Sequence, residues 1–413
     1  MNEKLLTIRT LGELKSAGYA TMPVRMEMRK NLLERLRSKE QILPGIVGYE
    51  ETVVPEIENG VLAGHHMIFL GERGQAKSRI IRSLVGLLDE YVPVVAGCEI
   101  SDDPYAPICR RCVKLKEEKG DALEIAWIGR DARYAEKLAT PDVSVADLIG
   151  EIDPIKVAEG RYLADEETIH YGLIPRTNRG IFAINELPDL TEKVQVGLFN
   201  LMEEKDVQIK GYKIRLAVDV VFVASANPED YTSRGRIITP LKDRFDIQIR
   251  THYPKTIEHE IVIMEQEAAH PQRDGIDVRI PQFMKDILAQ ITFEARASNE
   301  INQSSGVSVR VTINNYESAI SNAEKRAVRN AENEIVPRIS DLHSLYASTA
   351  GKIELEYVGE DKKEDDLIER LINRAVLKVF DKYLKHEDSR LLTVQPSQFR
   401  EVQLQPWETK RAR

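Results

Sequence analysis

The sequence predicts an α/β fold in which a parallel sheet lies between layers of helices, followed by a helical region. Three observations predict it. Met67-Ile68-Phe69-Leu70, Ile181-Phe182-Ala183-Ile184 and the run from Val218 to Ser225 are continuously apolar, as strands buried on both faces are. Each run ends in turn-forming or polar residues, at Gly71, at Asn185-Glu186 and at Ala226-Asn227. Stretches of helical periodicity lie between the runs, and the same periodicity dominates from Thr256 onward.

Composition narrows the function classes. The 413 residues suffice for two or three domains, and 42% hydrophobic with 30% charged residues is the balance of a globular chain. No apolar run approaches a membrane span. The start, Met1-Asn2-Glu3-Lys4-Leu5, has no basic region followed by an apolar stretch, so a cytoplasmic chain is expected. A net charge of −9 argues against a broad nucleic-acid footprint. Cys98, Cys109 and Cys112 are too few for a disulfide framework and fit a reducing compartment.

In chain order, residues 1–42 carry helical periodicity through Met26, Leu32, Leu33 and Leu36, ending at Leu43-Pro44-Gly45. Ile46-Val47-Gly48 leads into a helical stretch through Val53, Ile57 and Leu62, with Pro55 a kink or restart. His65-His66 reads as a solvated turn rather than a metal pair, since no third His or Cys is close in sequence. Cys109-Arg110-Arg111-Cys112 has zinc-ligand spacing. With Cys98 it gives three sulfurs, which Asp102 or Asp103 could complete, but free loop thiols are the simpler reading. Lys114 to Lys119 is a solvated helix face. Leu190 to Glu204 is helical, and Val207 to Ile214 forms a hairpin turning at Gly211. A short strand at Ile247 and Ile249 closes the α/β part. Helices follow through Ile261, Ile287 and Leu288, with another beginning in Ser304 to Thr312. After a charged linker, Gly359 to Asp366, comes an amphipathic helix through Leu367, Leu371, Val376 and Val379. A polar tail, expected to be partly disordered, ends the chain, and no fixed-period repeat is present.

The chemistry concentrates after the first apolar run. Gly71-Glu72-Arg73-Gly74-Gln75-Ala76-Lys77-Ser78 matches G-x-x-x-x-G-K-[ST] except that Ala76 stands at the second glycine, a modest steric departure. Such a loop cradles phosphate with backbone N–H groups, while the lysine reaches the β/γ-phosphates and the hydroxyl holds Mg²⁺. A nucleotide and Mg²⁺ are therefore the expected cofactors. An acidic residue ending a neighbouring parallel strand suits a metal contact and a water-polarising base. Here the pair is Asn185-Glu186, so Glu186 keeps the base function while Asn185 brings no charge to the metal. Asn227, at the end of the third run, can position the attacking water.

With these motifs followed by Asp243-Arg244-Phe245 and by Arg310, the chain resembles the AAA+ ATPases over roughly residues 43–348. More narrowly it resembles the magnesium chelatase ATPase subunit and its cousins, the MoxR-type ATPases and the MCM helicases. The resemblance implies that the nucleotide is ATP, that Val47 and Gly48 lie near the adenine and that Gly71 to Ser78 form Walker A. It assigns Asn185 and Glu186 to Walker B, Asn227 to sensor 1, Arg244 to a finger offered to a neighbouring subunit and Arg310 to sensor 2. Asp153 to Gly172 would be the helix-2 insert, and Val207 to Leu216 the pre-sensor-1 hairpin. It further implies a homo-oligomeric ring, a hexamer, acting on a partner protein with an adhesion-type metal-binding domain. The expected organisation is a helical arm over residues 1–42, an AAA+ αβα domain over 43–252, a helical lid over 253–348, and a charged linker with helical extension over 349–413. A MoxR-like remodeller and a nucleotide-binding scaffold with little turnover are the alternatives.

Overall fold

The computed structural model describes residues 5–153, 155, 168–204, 206–209, 212–215, 217–227, 236–269, 277–303, 305–355 and 361–384. The chain divides into two compact units, Met1–Lys255 and Thr256–Arg413.

The first unit is built on five parallel strands. In chain order these are β1 (Met67–Leu70), β4 (Tyr134–Leu138), β7 (Gly180–Asn185), β10 (Val220–Ala226) and β11 (Ile247–Arg250), arranged β11-β1-β10-β7-β4. Successive residues of a strand point to opposite faces, and the core follows that alternation. Ile68, Phe182, Ile184, Phe222 and Ala224 enter one apolar cluster. Their neighbours Met67, Phe69, Ile181, Ala183, Val221 and Val223 enter another, packed with the helices Val24–Ser38 and Val53–Ala63. This is the expected parallel α/β core, apolar on both sides because both sides are covered. Gly180 opens β7 at a point where a Cβ would lie 1.9 Å from the Arg133 carbonyl oxygen, so only glycine fits there.

Antiparallel pairs decorate the sheet. They are β2 (Tyr91–Val95) with β3 (Ile125–Gly129), β5 (Gly150–Ile152) with β6 (Ile169–Tyr171), and β8 (Asp206–Ile209) with β9 (Tyr212–Arg215). The last pair is the expected hairpin; its turn at 210–211 lies outside the described residues, as do most of the 153–172 insert and the polar tail. The helix Val24–Ser38 is tied to the sheet by a buried ion pair. Glu27 takes two 2.7 Å hydrogen bonds from Arg133, whose Nε also donates to the Arg179 carbonyl at 2.8 Å.

Three expectations change. Pro55 produces no kink: the helix Val53–Ala63 runs through it, because a first-turn residue needs no N–H partner. His66 is buried, its Nδ1 accepting from the Phe222 N–H at 3.0 Å and its ring edge-on to Phe222, so it is a core histidine rather than a solvated turn. The helix expected from Ser304 starts at Arg310.

The second unit packs the helices Ile257–Glu267, Gln282–Ala297, Arg310–Arg329 and Asp361–Leu384 around one apolar cluster that includes Met284, Ile291, Tyr316 and Leu371. Glu260 is fully buried and takes hydrogen bonds from Arg296 (2.8 Å) and Thr312 (2.6 Å), which joins three of these helices. Among the described residues no helix is long and apolar enough to cross a membrane.

Candidate functional site

The loop after β1 is held in shape from outside itself. Gln75 is buried; its Oε1 accepts from Thr251 Oγ1 at 2.7 Å and from the Glu72 N–H at 3.1 Å. Tyr49 Oη lies 2.9 Å from the Gln75 carbonyl and 2.7 Å from the His252 carbonyl, its one proton shared between them, while Tyr253 Oη donates to the Arg73 carbonyl at 2.8 Å. Tyr49 directly follows Val47 and Gly48, so the stretch expected near the adenine is anchored to the phosphate loop by the next residue. A Cβ on Gly71 would lie 1.9 Å from Thr251 Oγ1 and 2.2 Å from Gln75 Oε1. Glycine is required there by the same bonds that brace the loop.

Gly74 and Ala76 both have positive φ, +77° and +57°. The departure at Ala76 is thus a backbone matter more than the steric one expected: an L-residue is held in the left-handed region, at a cost of about 1–2 kcal/mol. From Ala76 the chain enters the helix Lys77–Ser83. Lys77 is buried, its ammonium donating to the Gly71 carbonyl and, at 2.9 Å, to the Glu72 carbonyl.

Ser78 Oγ donates to Asn185 Oδ1 at 3.4 Å, and Ser225 Oγ donates to the same oxygen at 3.1 Å. The Asn185 amide nitrogen donates to Glu136 Oε1 at 2.5 Å. Glu136 lies on β4, beside β7, and takes Arg82 through both carboxylate oxygens (2.7 and 2.9 Å) and Tyr134 Oη (2.9 Å). The Arg82 hydrogen bonds hold its carboxyl below the usual range, against the opposing effect of burial. Sequence reasoning missed Glu136 because no local motif marks it; only the register of β4 against β7 brings it to Asn185. Glu186 follows β7 in a left-handed conformation, φ +54°, with its N–H donating to Ser225 Oγ at 3.3 Å. Strained backbone of this kind is concentrated at functional positions.

Asn227 ends β10, between β1 and β7. It is 3% exposed, and its Oδ1 has no hydrogen-bond partner among the described residues. A buried amide oxygen without a partner costs about 1–3 kcal/mol, which suits a group reserved for a ligand or water. The oxygens of Ser78, Ser225, Asn185 and Glu136 form a hard donor set of the kind Mg²⁺ takes. Loop, Asn185-Glu186 and Asn227 therefore come together at the carboxyl ends of three adjacent strands, where open parallel sheets present ligand-binding residues.

Arg244 is bonded to other partners. Arg244 caps the helix Thr239–Asp243 and pairs with Glu203 at 2.6 Å, its guanidinium 5.4 Å from the Phe199 ring centre. Arg310 is exposed at the first turn of its helix in the second unit.

Known proteins similar to this chain include magnesium-chelatase subunits. Magnesium-chelatase subunit ChlI-2 of Arabidopsis thaliana is 28% identical over 246 residues, covering 57% of this chain and 55% of that protein. The ChlI subunit of Nostoc sp. is 28% identical over 233 residues, covering 55% and 58%. The chain is similar in sequence to magnesium-chelatase ATPase subunits. A ChlI homologue of Methanocaldococcus jannaschii is 26% identical over 211 residues, covering 49% of this chain and 53% of its own length. The chain thus spans about half the length of the curated relatives it matches. No family model matches it. Among solved structures, NtrX of Brucella abortus superposes with a TM-score of 0.45 at 14% identity, covering 89% of this chain and 71% of that one. A complex of BchI and BchD of magnesium chelatase gives 0.36 at 17%, covering 76% and 93%.

Proposed function

We propose that the chain hydrolyses ATP with Mg²⁺ as one protomer of a homo-oligomeric AAA+ ring, and that the resulting motion remodels a partner protein, as in a chelatase motor. The observation that carries this reading is the convergence of Lys77-Ser78, Asn185-Glu186 and Asn227 at the ends of three neighbouring strands.

Bound Mg²⁺ and ATP would supply the phosphoryl group and neutralise part of its charge. Ser78, with Asn185 behind it and Glu136 beside it, would hold the metal. Lys77 exchanges loop carbonyls for phosphate oxygens. Glu186 accepts a hydrogen bond from the attacking water and takes its proton, and Asn227 Oδ1 orients that water. Arg244 of one protomer is offered to its neighbour's nucleotide, and Arg310 adds a second cation. A finger supplied in trans is worth about 10³–10⁵ in rate, so hydrolysis should depend on assembly. A hexamer is the ring expected, and a protein with an adhesion-type metal-binding domain the partner.

Steady-state ATP hydrolysis over a range of protein concentrations, beside Glu186→Gln, tests the reading. Activity that rises with assembly and is lost in the variant supports a ring motor. Nucleotide binding without hydrolysis at any concentration favours the scaffold reading, for which the uncharged Asn185 hydrogen-bonded to Glu136 is the specific support. Hydrolysis stimulated by a protein partner with no porphyrin present would favour a MoxR-like remodeller.

A further inference from the structure

Between β2 and β3 the chain makes an excursion, residues 96–124, that the nucleotide site does not use. Within it the Sγ atoms of Cys98, Cys109 and Cys112 and a carboxylate oxygen of Asp102 all lie within 4.8 Å of one another. We propose that these four residues bind one zinc ion, a structural Cys₃Asp site that closes the excursion.

The set has the right number and kind of donors. Three sulfurs and one oxygen complete a tetrahedron, and Zn–S bonds of about 2.3 Å place ligand atoms about 3.8 Å apart, so only a small contraction is needed. Cys109 caps the ten-residue helix Arg110–Lys119, and its Sγ accepts from the Cys112 N–H at 3.4 Å. The Asp102 N–H donates to Cys98 Sγ at 3.5 Å. Two of the sulfurs thus already receive the backbone N–H bonds that favour thiolate. Asp102 is fully buried and oriented by the N–H groups of Ile108 (3.2 Å) and Cys109 (3.0 Å), which leave its carboxylate lone pairs to spare for a metal. Arg111 bonds to the Gly97 carbonyl at 2.5 Å, placing a cation beside the loop that carries Cys98. Asp103 is not a member of the cluster; its Oδ1 accepts from the Tyr105 N–H at 2.8 Å.

A redox pair is the competing use of Cys-x-x-Cys. It would employ two sulfurs and give no reason for Cys98 and a buried carboxylate to converge on them. Cys109 is 6% exposed and Cys112 fully buried, in an apolar cluster with Ile100 and Leu123, whereas a disulfide-exchanging thiol must be reached by its partner. No residue of the phosphate loop belongs to this cluster, so zinc binding is independent of nucleotide hydrolysis.

The test is metal analysis of the full chain grown with supplemented zinc and purified without chelator. One zinc per chain is expected. Exchange into Co²⁺ should give the thiolate-to-cobalt charge-transfer bands and the strong visible bands of a tetrahedral site, a readout on the unmutated chain that needs no variant to fold. Zinc should be lost in Cys98→Ser, weakened in Asp102→Asn and unchanged in Lys77→Ala. A metal-free chain showing no charge-transfer band with Co²⁺, or a chain two hydrogens lighter from a Cys109–Cys112 disulfide, would overturn the proposal.

Discussion

The side-chain amide of Asn185 donates to Glu136 Oε1 at 2.5 Å, so the uncharged residue that ends β7 is hydrogen-bonded to a carboxylate on the next strand. The negative charge of the site is displaced by one strand rather than removed. Asn185→Asp would set two carboxylates in contact, which raises the pKa of one of them and destabilises the metal-free fold. The expected outcome is a lower Tm in chelator and a larger gain in Tm on adding Mg²⁺ than the parent shows. Thermal scans with and without Mg²⁺ check it, and a strong rise in turnover of the same variant would favour the scaffold reading of the parent chain.

Asn227 Oδ1 has no partner in the described fold, so its removal should cost little stability. Asn227→Ala is expected to keep the parental Tm within about 0.5 kcal/mol of stability, while ATP hydrolysis falls by about 10²-fold. A variant that unfolds instead would assign the amide to structure.

Ala76 sits at φ +57°, a conformation open to glycine at little cost. Ala76→Gly should stabilise the first unit by up to about 1 kcal/mol, the relief of the left-handed conformation less the added freedom of the unfolded chain. A shift of the urea midpoint to higher concentration, with no loss of nucleotide affinity, is the expected result.

The Glu27–Arg133 pair is enclosed, at 3% and 0% side-chain exposure. Arg133→Met leaves a buried carboxylate unpaired and should cost about 3–5 kcal/mol, whereas Glu27→Leu with Arg133→Met should recover most of that loss. Denaturant midpoints of the two variants decide whether the pair binds the helix Val24–Ser38 to the sheet by charge or by packing.

Burial, reinforced by the nearby Arg25 cation, pushes the His66 imidazole down to about 3 from an ordinary 6.5. The folded chain keeps this group neutral while the unfolded chain protonates it. Its contribution is therefore complete above pH 6.5 and is lost as pH falls toward 3, by about 1.4 kcal/mol per pH unit within that window. Stability measured between pH 7 and 4 should fall less steeply in His66→Gln.

What the sequence made legible was what repeats locally. β1, β7 and β10 are covered on both faces and so read as unbroken apolar runs, and the loop residues from Gly71 to Ser78 are contiguous. β4 was not legible: Tyr134-Ala135-Glu136-Lys137-Leu138 is an edge strand, mostly half-buried, with charge in its middle. Glu136 was lost with it, since its meeting with Asn185 spans 49 residues. The cysteine spacing was visible, but choosing between Asp102 and Asp103 needed the backbone N–H groups that aim Asp102 inward. The left-handed cost at Ala76 was hidden because a motif reports residue types and no φ.

The brace between Tyr253 and Arg73 has a mechanical consequence. Thr251, His252 and Tyr253 all touch the phosphate loop or Tyr49, and the boundary between the two units falls only two residues further, after Lys255. The loop is therefore clamped to the root of the strap that joins the units. Any movement of Arg73 large enough to part this 2.8 Å bond would free the Tyr253 side chain, two residues before the boundary.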